Sequence, residues 1–356
     1  MPTNALITGW GMYAPSRVMT NDDLSKMVET SDEWIVSRTG IRERRIAADD
    51  ETTATLSVHA SRDALAVAGL DASELDLVIV GTCSPDYYMP STAVLVAHQL
   101  GATRAAGFDL MAACSGFVFS LATATAYVRS GMYRNVLVVG VELLSRFLDY
   151  TDRNTCVLFG DGAGAVIVSA SDRPGGLMGL DMYSDGSGAN GIIFPAGGSA
   201  CPTTPQTVAE GGHFVHMAGK EVYKYATRQL AESARSALRD AGLTVDDVDQ
   251  FLFHQANLRI IESVQQSVGI PADKTYLNIE RYGNTSAASV PMALVEALAE
   301  DRIKPGDRLL MAAFGAGYTA GAAVFEWTAD PTRAFLAPGA QTRHGKPQQQ
   351  LAEVSG

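Results

Sequence analysis

The sequence lacks the features that mark several common protein classes. No run of apolar residues approaches the roughly 20 that a membrane-spanning helix needs, and no charged start followed by an apolar run resembles a signal peptide. The few cysteines are widely separated and form no C-x-x-C pair, which argues against a disulfide scaffold and against a zinc site. We therefore expect a cytoplasmic protein with no membrane segment and no metal. The four cysteines are Cys83, Cys114, Cys156 and Cys201.

Positive charge is also scarce. The chain has 27 lysines and arginines against 39 aspartates and glutamates, a formal net charge of −12. Nucleic-acid binding is disfavoured, because neutralising phosphates needs an excess of basic residues. A phosphate-bearing ligand would need a local basic patch. Hydrophobic residues, by contrast, make up 47% of the 356 residues, enough for a large core in roughly two domains or two halves.

The chain contains an internal duplication. The segment SRDALAVAGL (61–70) matches ARSALRDAGL (234–243), and VLVVG (136–140) matches LLMAA (309–313), each at an offset of 173 residues. Each copy alternates helices with apolar strands, which is typical of parallel sheets buried on both faces. We predict an α/β protein of two similar halves, residues 1–172 and 173–328, followed by a flexible tail, residues 329–356, rich in Pro, Gly, Gln and charge.

Cys114 is the candidate nucleophile. In DLMAACSGFVFSLATA (109–124) it stands where a polar segment becomes an apolar helix, predicted from about Ser115 to Arg129. Packing is the ordinary explanation for an isolated cysteine. The alternative is chemical, since a helix N-terminus presents free N–H groups and a positive dipole end that lower the pKa of a thiol. We therefore hypothesise a reactive Cys114 with a lowered pKa.

Three other segments offer partners for this thiol. His254 ends an apolar strand, and Asn284 lies in a Gly-containing turn whose counterpart under the repeat is the Cys114 loop. The small-residue loop AAFGAGYTAGAA (312–323) is expected to supply an N–H that forms an oxyanion hole with the N–H of Cys114. A solvated loop histidine, ordinary turn chemistry and close backbone packing remain the alternatives at these three places.

Six motifs together give the sequence a recognisable pattern: SDEWIVSRTGIRERR, CSGF, DRNTCVLFGDGAGAV, HQANLRII, YGNTSAAS and FGAGYT. Over about residues 3–328 the chain resembles β-ketoacyl-acyl carrier protein synthase III. The resemblance implies a thiolase-like five-layer α/β/α/β/α fold made from two duplicated halves, and usually a homodimer. It implies decarboxylative Claisen condensation of an acyl-CoA primer with malonyl-acyl carrier protein, which gives 3-oxoacyl-acyl carrier protein and initiates type II fatty-acid synthesis.

The resemblance also implies roles for individual residues. Cys114 would carry the acyl group as a thioester, His254 and Asn284 would complete a catalytic triad, and the amides of Cys114 and Ala316 would form the oxyanion hole. Acyl-CoA would be a substrate, with no cofactor. The implied coenzyme A contacts are Trp34, Arg38, Arg153 and Asn257, and the implied carrier-protein contacts are Lys224 and Arg259.

Several positions depart from the family pattern. Phe253 replaces a proline common before the histidine, and Met89 stands where some members carry an aromatic that enters the partner's pocket. Gln266 and Ser267 replace basic residues that contact carrier protein in some members. These departures leave the primer open. A thiolase-fold acyltransferase or specialised-metabolism ketosynthase with another acceptor, and a Cys-His-Asn thioester hydrolase, remain alternative functions.

Two further motifs are predicted to be structural. RERR (42–45) is interpreted mostly as a solvated charge run. FGDGAG (159–164) is interpreted as a tight turn, because it lacks the Lys-Ser/Thr ending of a phosphate-binding P-loop.

Overall fold

The structure is a computed structural model, and it describes residues 4–332. The part of the predicted tail from residue 333 onward lies outside the described residues. The strands are β1 (Asn4–Tyr13), β2 (Arg17–Thr20), β3 (Glu43–Ile46), β4 (Leu77–Gly81), β5 (Ala106–Leu110), β6 (Asn135–Leu143), β7 (Asp161–Ser171), β8 (Gly176–Tyr183), β9 (Ile192–Ile193), β10 (His216–Met217), β11 (Gln250–Phe253), β12 (Arg308–Gly315) and β13 (Thr319–Glu326). The α-helices are α1 (Asn21–Ser25), α2 (Asp32–Thr39), α3 (Thr53–Ala68), α4 (Thr92–Leu100), α5 (Gly116–Arg129), α6 (Pro205–Ala209), α7 (Gly219–Ala241), α8 (Leu258–Val268), α9 (Ile279–Tyr282) and α10 (Ser289–Ala299).

Two large sheets form the framework. The first has the strand order β1-β7-β6-β4-β5, and the second has the order β11-β12-β13-β8. Strands β4, β5 and β6 are parallel, as are β11 and β12, but the pairs β1–β7, β6–β7, β12–β13 and β13–β8 are antiparallel. The prediction of parallel sheets is therefore wrong for two of the four strand pairs in the first sheet and for two of the three in the second. No α-helix lies between β6 and β7 or between β12 and β13, so these strands return antiparallel without a helical crossover.

Helices cover both faces of both sheets. Helices α3 and α4 pack on the outer face of the first sheet, and α7 and α8 pack on the outer face of the second. Between the sheets, α5 and α10 form a shared central layer with an apolar core drawn from both halves. The predicted five-layer α/β/α/β/α fold is confirmed. No helix within residues 4–332 has the length and apolar character needed to cross a membrane.

The duplication extends to details of the backbone. A 3-10 turn at Ala113–Ser115 leads into α5, and an equivalent turn at Ser286–Ala288 leads into α10, again 173 residues later. Ala113 and Ser286 both adopt positive φ angles, 47° and 49°, which are unusual for residues other than glycine. The two halves therefore carry the same sharp turn at equivalent places.

The FGDGAG motif is not the predicted turn. Asp161 begins strand β7, where its buried carboxylate accepts hydrogen bonds from Ala47 N at 2.8 Å and from Ser145 N and Oγ at 2.9 and 2.6 Å. The glycines that follow lie inside the sheet, where their neighbours leave no room for a side chain. A Cβ at Gly164 would lie 2.6 Å from Pro291 of α10. The glycines serve close packing of the central layer.

The RERR motif is not uniformly solvated. Arg44 is fully buried, and its guanidinium donates to Met19 O at 3.2 Å, Asn21 Oδ1 at 2.9 Å and Val157 O at 2.8 Å. Alternation along strand β3 turns Arg44 inward, and these acceptors offset the cost of burying its charge. The acceptors come from distant parts of the chain, so the local sequence does not reveal them.

Candidate active site

A cavity of about 540 Å³ lies between the two halves. Its lining includes Cys114 from the first half and His254, Asn284 and Ala316 from the second. The structure therefore brings the predicted triad and both predicted oxyanion-hole residues to one cavity. Much of the remaining wall is apolar, and it includes Leu144, Ile192, Phe194, Val215, Val222, Leu230 and Phe314.

Three of these four residues follow the carboxyl end of a strand. Cys114 lies four residues after β5, His254 directly follows β11, and Ala316 directly follows β12, as expected for ligand sites in α/β sheets. A Cβ on Gly315 would lie 2.6 Å from Cys114 N. Glycine at this position thus lets the end of β12 approach the amide of Cys114, so the amide of Ala316 is placed near a second N–H.

Cys114 does not have the lowered pKa that the sequence predicts. Burial, with a smaller contribution from the nearby Glu142 carboxylate, raises the pKa of its thiol to about 12. A hydrogen bond with Ser286 acts in the opposite direction, with Ser286 Oγ at 3.2 Å from Cys114 Sγ. Desolvation of the thiolate outweighs the favourable position at the helix start. The resting nucleophile is therefore a thiol, and it must lose a proton when it reacts.

His254 presents one free ring nitrogen. Its Nδ1 lies 2.6 Å from Ser289 Oγ, whereas its buried Nε2 has no hydrogen-bond partner within the described part of the chain. Burial lowers the pKa of the imidazole to about 3, so the ring is neutral at physiological pH. A neutral imidazole in this position is a hydrogen-bonding group for a ligand.

Asn284 is held by backbone from the other half. Its N–H donates to Leu158 O at 2.8 Å, and its carbonyl accepts from Gly160 N at 3.0 Å. The side-chain Oδ1 accepts from Ser286 N at 2.9 Å. Nδ2 is the only hydrogen-bond donor of this side chain, and the bond to Oδ1 fixes the carboxamide, so Nδ2 is the group that can donate to a ligand.

The sequence interpretation missed Glu142 and Ser286. Glu142, near the end of β6, is fully buried with Oε1 at 3.3 Å from Ser286 Oγ. Burial raises the pKa of this carboxyl to about 7. The signal that was available is a lone acid inside the apolar run VLVVGVELL. Ser286 is detectable as the counterpart of Ala113 under the repeat.

The predicted coenzyme A residues form a basic, aromatic cluster. The guanidinium carbons of Arg38 and Arg153 lie 5.3 and 5.2 Å from the centre of the Trp34 ring. Asn257 Nδ2 donates to Arg38 O at 3.0 Å, and Asn257 also lines the cavity. Asn257 thus connects this cluster to the reacting groups. It caps helix α8, which begins at Leu258.

The predicted carrier-protein residues lie on the surface. Lys224 and Arg259 are both exposed, and the Arg259 guanidinium carbon lies 5.7 Å from the ring centre of Tyr223, a cavity residue. Phe253, by contrast, packs with Phe251 against the outer helices. Its replacement of proline therefore does not put an aromatic ring into the cavity wall.

Comparisons with known proteins give one consistent result. Two family models match the chain: 3-oxoacyl-[acyl-carrier-protein] synthase III over residues 108–186, and the C-terminal part of the same family over residues 238–327. The chain is 52% identical to a β-ketoacyl-[acyl-carrier-protein] synthase III from Roseiflexus castenholzii, across 92% of this chain and 100% of that protein. It is 49% identical to one from Desulfitobacterium hafniense, across 90% and 97%.

Solved structures agree with the sequence relatives. The crystal structure of 3-oxoacyl-[acyl-carrier-protein] synthase III from Aquifex aeolicus VF5 matches with a TM-score of 0.84 at 43% identity, covering 91% of this chain and 100% of that one. The priming β-ketosynthase of the R1128 polyketide biosynthetic pathway matches with a TM-score of 0.86 at 39% identity, covering 93% and 98%.

The low pKa of His254 has a direct test. Because its pKa is about 3, we expect no titration of this ring between roughly pH 5 and 8, where an ordinary histidine near 6.5 changes charge. Nitrogen NMR of histidine-labelled protein measures this, and the His254→Gln spectrum identifies the signal. A His254 titration midpoint near 6.5 would contradict the buried neutral imidazole.

Proposed function

Because the chain belongs to the β-ketoacyl-[acyl-carrier-protein] synthase III family, we propose that its cavity carries out both half-reactions of that chemistry with Cys114 as the acyl carrier. The protein is a condensing acyltransferase that joins an acyl-CoA primer to malonyl-acyl carrier protein and so initiates type II fatty-acid synthesis. The observation that best supports the assignment of roles is the convergence of Cys114, His254 and Asn284 on one cavity.

In the first half-reaction Cys114 attacks the thioester carbonyl of the acyl-CoA. The amides of Cys114 and Ala316 stabilise the charge that develops on the carbonyl oxygen, a contribution of roughly 2.7–4 kcal/mol for each donor in comparable sites. Coenzyme A leaves, and the acyl group stays on the sulfur. Covalent storage divides a difficult transfer into two steps. The apolar wall around Val222 and Leu230 accommodates the acyl chain.

In the second half-reaction malonyl-acyl carrier protein loses carbon dioxide. The enolate charge appears on the thioester oxygen, where His254 Nε2 and Asn284 Nδ2 act as donors. His254 can donate only if Nε2 carries the proton. We propose that, when the malonyl thioester binds, the Ser289 hydroxyl turns from Ser286 O, 2.9 Å away, to donate to Nδ1, 2.6 Å away, and thereby selects that tautomer. The carbanion then attacks acyl-Cys114, and the bond from the acyl carbon to Sγ breaks. The 3-oxoacyl product leaves, and the freed Cys114 thiolate takes up a proton from solvent.

The two substrates carry negative charge, and the surface around the entrance supplies positive charge on an otherwise acidic protein. We propose that Trp34, Arg38 and Arg153 hold the nucleotide end of coenzyme A, with the ring as a stacking face and the guanidinium groups near phosphates. Lys224 and Arg259 would contact the acidic carrier protein. Each step as proposed uses only thioesters and protein groups, so no cofactor is invoked.

We propose that the protein is a cytoplasmic homodimer. The four cysteines are all free thiols, which suits a reducing compartment. Strand β5 is an edge of the first sheet, and exposed apolar side chains lie at its carboxyl end: Tyr87, Tyr88, Met89 and Met111 are 61–85% exposed. An unpaired edge beside an apolar patch fits a second copy of the chain.

The R1128 ketosynthase favours one alternative. That relative, 39% identical, primes a polyketide pathway, so a specialised-metabolism ketosynthase with another acceptor is the second candidate function. The reacting groups would be the same, and the acceptor alone would differ.

Acyl transfer to Cys114 is the primary prediction. Incubation with acetyl-CoA and longer acyl-CoAs should add one acyl mass to the peptide that contains Cys114, as measured by mass spectrometry. The Cys114→Ala variant should lose the label. Addition of malonyl-acyl carrier protein should then release carbon dioxide and 3-oxoacyl product.

Three results would change the assigned nucleophile, acceptor or reaction. A label on the Cys83 peptide would refute Cys114 as the nucleophile. Acylation without carbon dioxide release from malonyl-acyl carrier protein would favour the alternative acceptor. Free acid as the main product would indicate a thioester hydrolase.

The proposed coenzyme A site and the proposed carrier-protein site should be distinguishable by steady-state kinetics. Arg153→Ala is expected to raise KM for acyl-CoA about tenfold, the loss of one charge-assisted contact, and to leave KM for malonyl-acyl carrier protein unchanged. Lys224→Glu is expected to do the reverse, with a strong dependence on salt. Equal effects of either variant on both substrates would argue against separate sites.

The dimer is tested by sedimentation equilibrium. The wild type should have twice the 37.7 kDa chain mass, and Tyr88→Arg should shift it toward the monomer because a charge would enter the apolar patch. Met132→Arg is the matched control, since Met132 is 63% exposed and lies just before β6, at the opposite end of the sheet. A monomeric wild type, or equal effects of both substitutions, would contradict this interface.

A further inference from the structure

We propose that Ser286 and Glu142 form a proton relay that takes the thiol proton of Cys114 as the sulfur attacks. Ser286 touches the nucleophile, and Glu142 acts through Ser286. The inference rests on the proposed function because it takes Cys114 as the reacting group. It adds a route for a proton that the Cys-His-Asn triad leaves unassigned.

The contacts form a continuous path. Ser286 Oγ lies 3.2 Å from Cys114 Sγ and 3.3 Å from Glu142 Oε1. A hydroxyl has one proton to donate and lone pairs to accept. It can therefore accept from the thiol and donate to the carboxylate at the same time. In the resting structure Ser286 Oγ is the donor to Cys114 Sγ. When its single proton turns to Glu142 Oε1, a lone pair becomes free for the thiol proton, and the two bonds then have the direction that transfer from sulfur to carboxylate requires.

Glu142 is held in a fixed orientation. Oε1 accepts from Cys83 N at 2.9 Å, and Oε2 accepts from Ser84 Oγ at 2.6 Å and lies 3.3 Å from Cys83 Sγ. The titratable groups that face Glu142 are the thiols of Cys83 and Cys114. Within residues 4–332 no lysine, arginine or histidine forms an ion pair with it. A buried carboxylate without a cation gains from receiving a proton.

The backbone conformation orients the Ser286 hydroxyl toward Cys114 and Glu142. Ser286 adopts a φ of 49°, its N–H donates to Asn284 Oδ1, and its carbonyl accepts from Ser289 Oγ at 2.9 Å. A non-glycine residue in this conformation is retained only where its surroundings hold it there. Asn284 and Ser289 thus position the hydroxyl between sulfur and carboxylate.

His254 is the poorer acceptor for this proton. Its ring hydrogen-bonds Ser289 rather than Cys114, and burial lowers its pKa to about 3. Glu142 has a pKa raised to about 7, which makes it the stronger base of the two. The histidine therefore remains neutral for its role toward the malonyl thioester.

The proton balance closes within the first half-reaction. The S–H bond of Cys114 breaks as its S–C bond to the acyl carbon forms. The proton passes to Ser286 Oγ, and the Ser286 proton passes to Glu142 Oε1. The bond from the acyl carbon to the coenzyme A sulfur then breaks, and Glu142 returns a proton through Ser286 to the departing thiolate. The products are acyl-Cys114, neutral coenzyme A thiol and the original carboxylate.

Rapid-reaction kinetics across pH test the relay. Alkylation of Cys114 by iodoacetamide and acylation by acetyl-CoA are measured between about pH 5 and 9 in the wild type and in Glu142→Gln. In the wild type the rate should rise with pH through about 7, because only ionised Glu142 accepts a proton. In Glu142→Gln that inflection should disappear, and both reactions should slow by about 10²- to 10⁴-fold.

If Glu142 acted on Cys114 only through its charge, Glu142→Gln would have the opposite effect on the reaction rates. The Glu142 charge raises the pKa of Cys114, so removing that charge without a relay would make the thiol ionise more readily and alkylate faster. Faster or unchanged alkylation in Glu142→Gln would overturn the proposal. Alkylation needs no acyl donor. Failure of acetyl-CoA to label a readily alkylated Cys114 would therefore count against the proposed function and leave the relay result interpretable.

Two further variants distinguish loss of the proton relay from a general disturbance of the structure. Ser286→Ala breaks the path in the middle, and alanine tolerates this backbone because Ala113 holds a φ of 47° at the equivalent position. It should slow both reactions, and the double variant with Glu142→Gln should be no slower than the worse single variant. Asp161→Asn neutralises another buried carboxylate of the same sheet and should keep the wild-type pH profile. Additive losses, or the same altered profile in Asp161→Asn, would contradict the relay.

Discussion

The contact between strand β6 and the turn at Ser286 is the constraint on which the site depends. A Cβ on Gly140, in the central strand β6 of the first sheet, would lie 2.3 Å from the carbonyl oxygen of Ala287 in the second half. Ala287 is the counterpart of Cys114 under the 173-residue repeat. This close approach lets the turn at Ser286 reach across the boundary between the halves, so that it touches both Cys114 and Glu142. A bulkier residue at Gly140 would separate the groups that must react together.

Burial determines how each group behaves chemically. The same desolvation raises the pKa of the Cys114 thiol, lowers that of the His254 imidazole and raises that of the Glu142 carboxyl. Each group is thereby biased toward its neutral form. A site of neutral groups suits thioester carbonyls, whose oxygen gains charge only during reaction, since fixed donors then stabilise the transition state more than the ground state. As a consequence, the Cys114 thiol must lose its proton inside the buried site when it reacts.

Much of the fold and part of the site could be predicted from sequence. The repeat and the alternation of helices with apolar strands predicted two α/β halves. Cys114 and His254 after apolar strands, with Asn284 in the loop equivalent to that of Cys114, predicted a shared site. Three errors at individual residues share one physical cause. The lowered pKa of Cys114, the solvated Arg44 and the turn at Asp161 were all inferred from neighbours along the chain, whereas burial and distant partners decide each of them. The role of Glu142 was not predicted because it depends on a contact with Ser286, 144 residues away in the sequence.

The central claim is that two duplicated halves bring one sulfur, its oxyanion donors and the His-Asn pair to a single point. A crystal structure of the protein after reaction with an acyl-CoA tests it most directly. We expect the acyl group on Cys114 Sγ, with its carbonyl oxygen about 2.7–3.1 Å from the amide nitrogens of both Cys114 and Ala316 and its chain along the apolar wall. An acyl group on another residue, or a carbonyl oxygen turned away from both amides, would contradict the account.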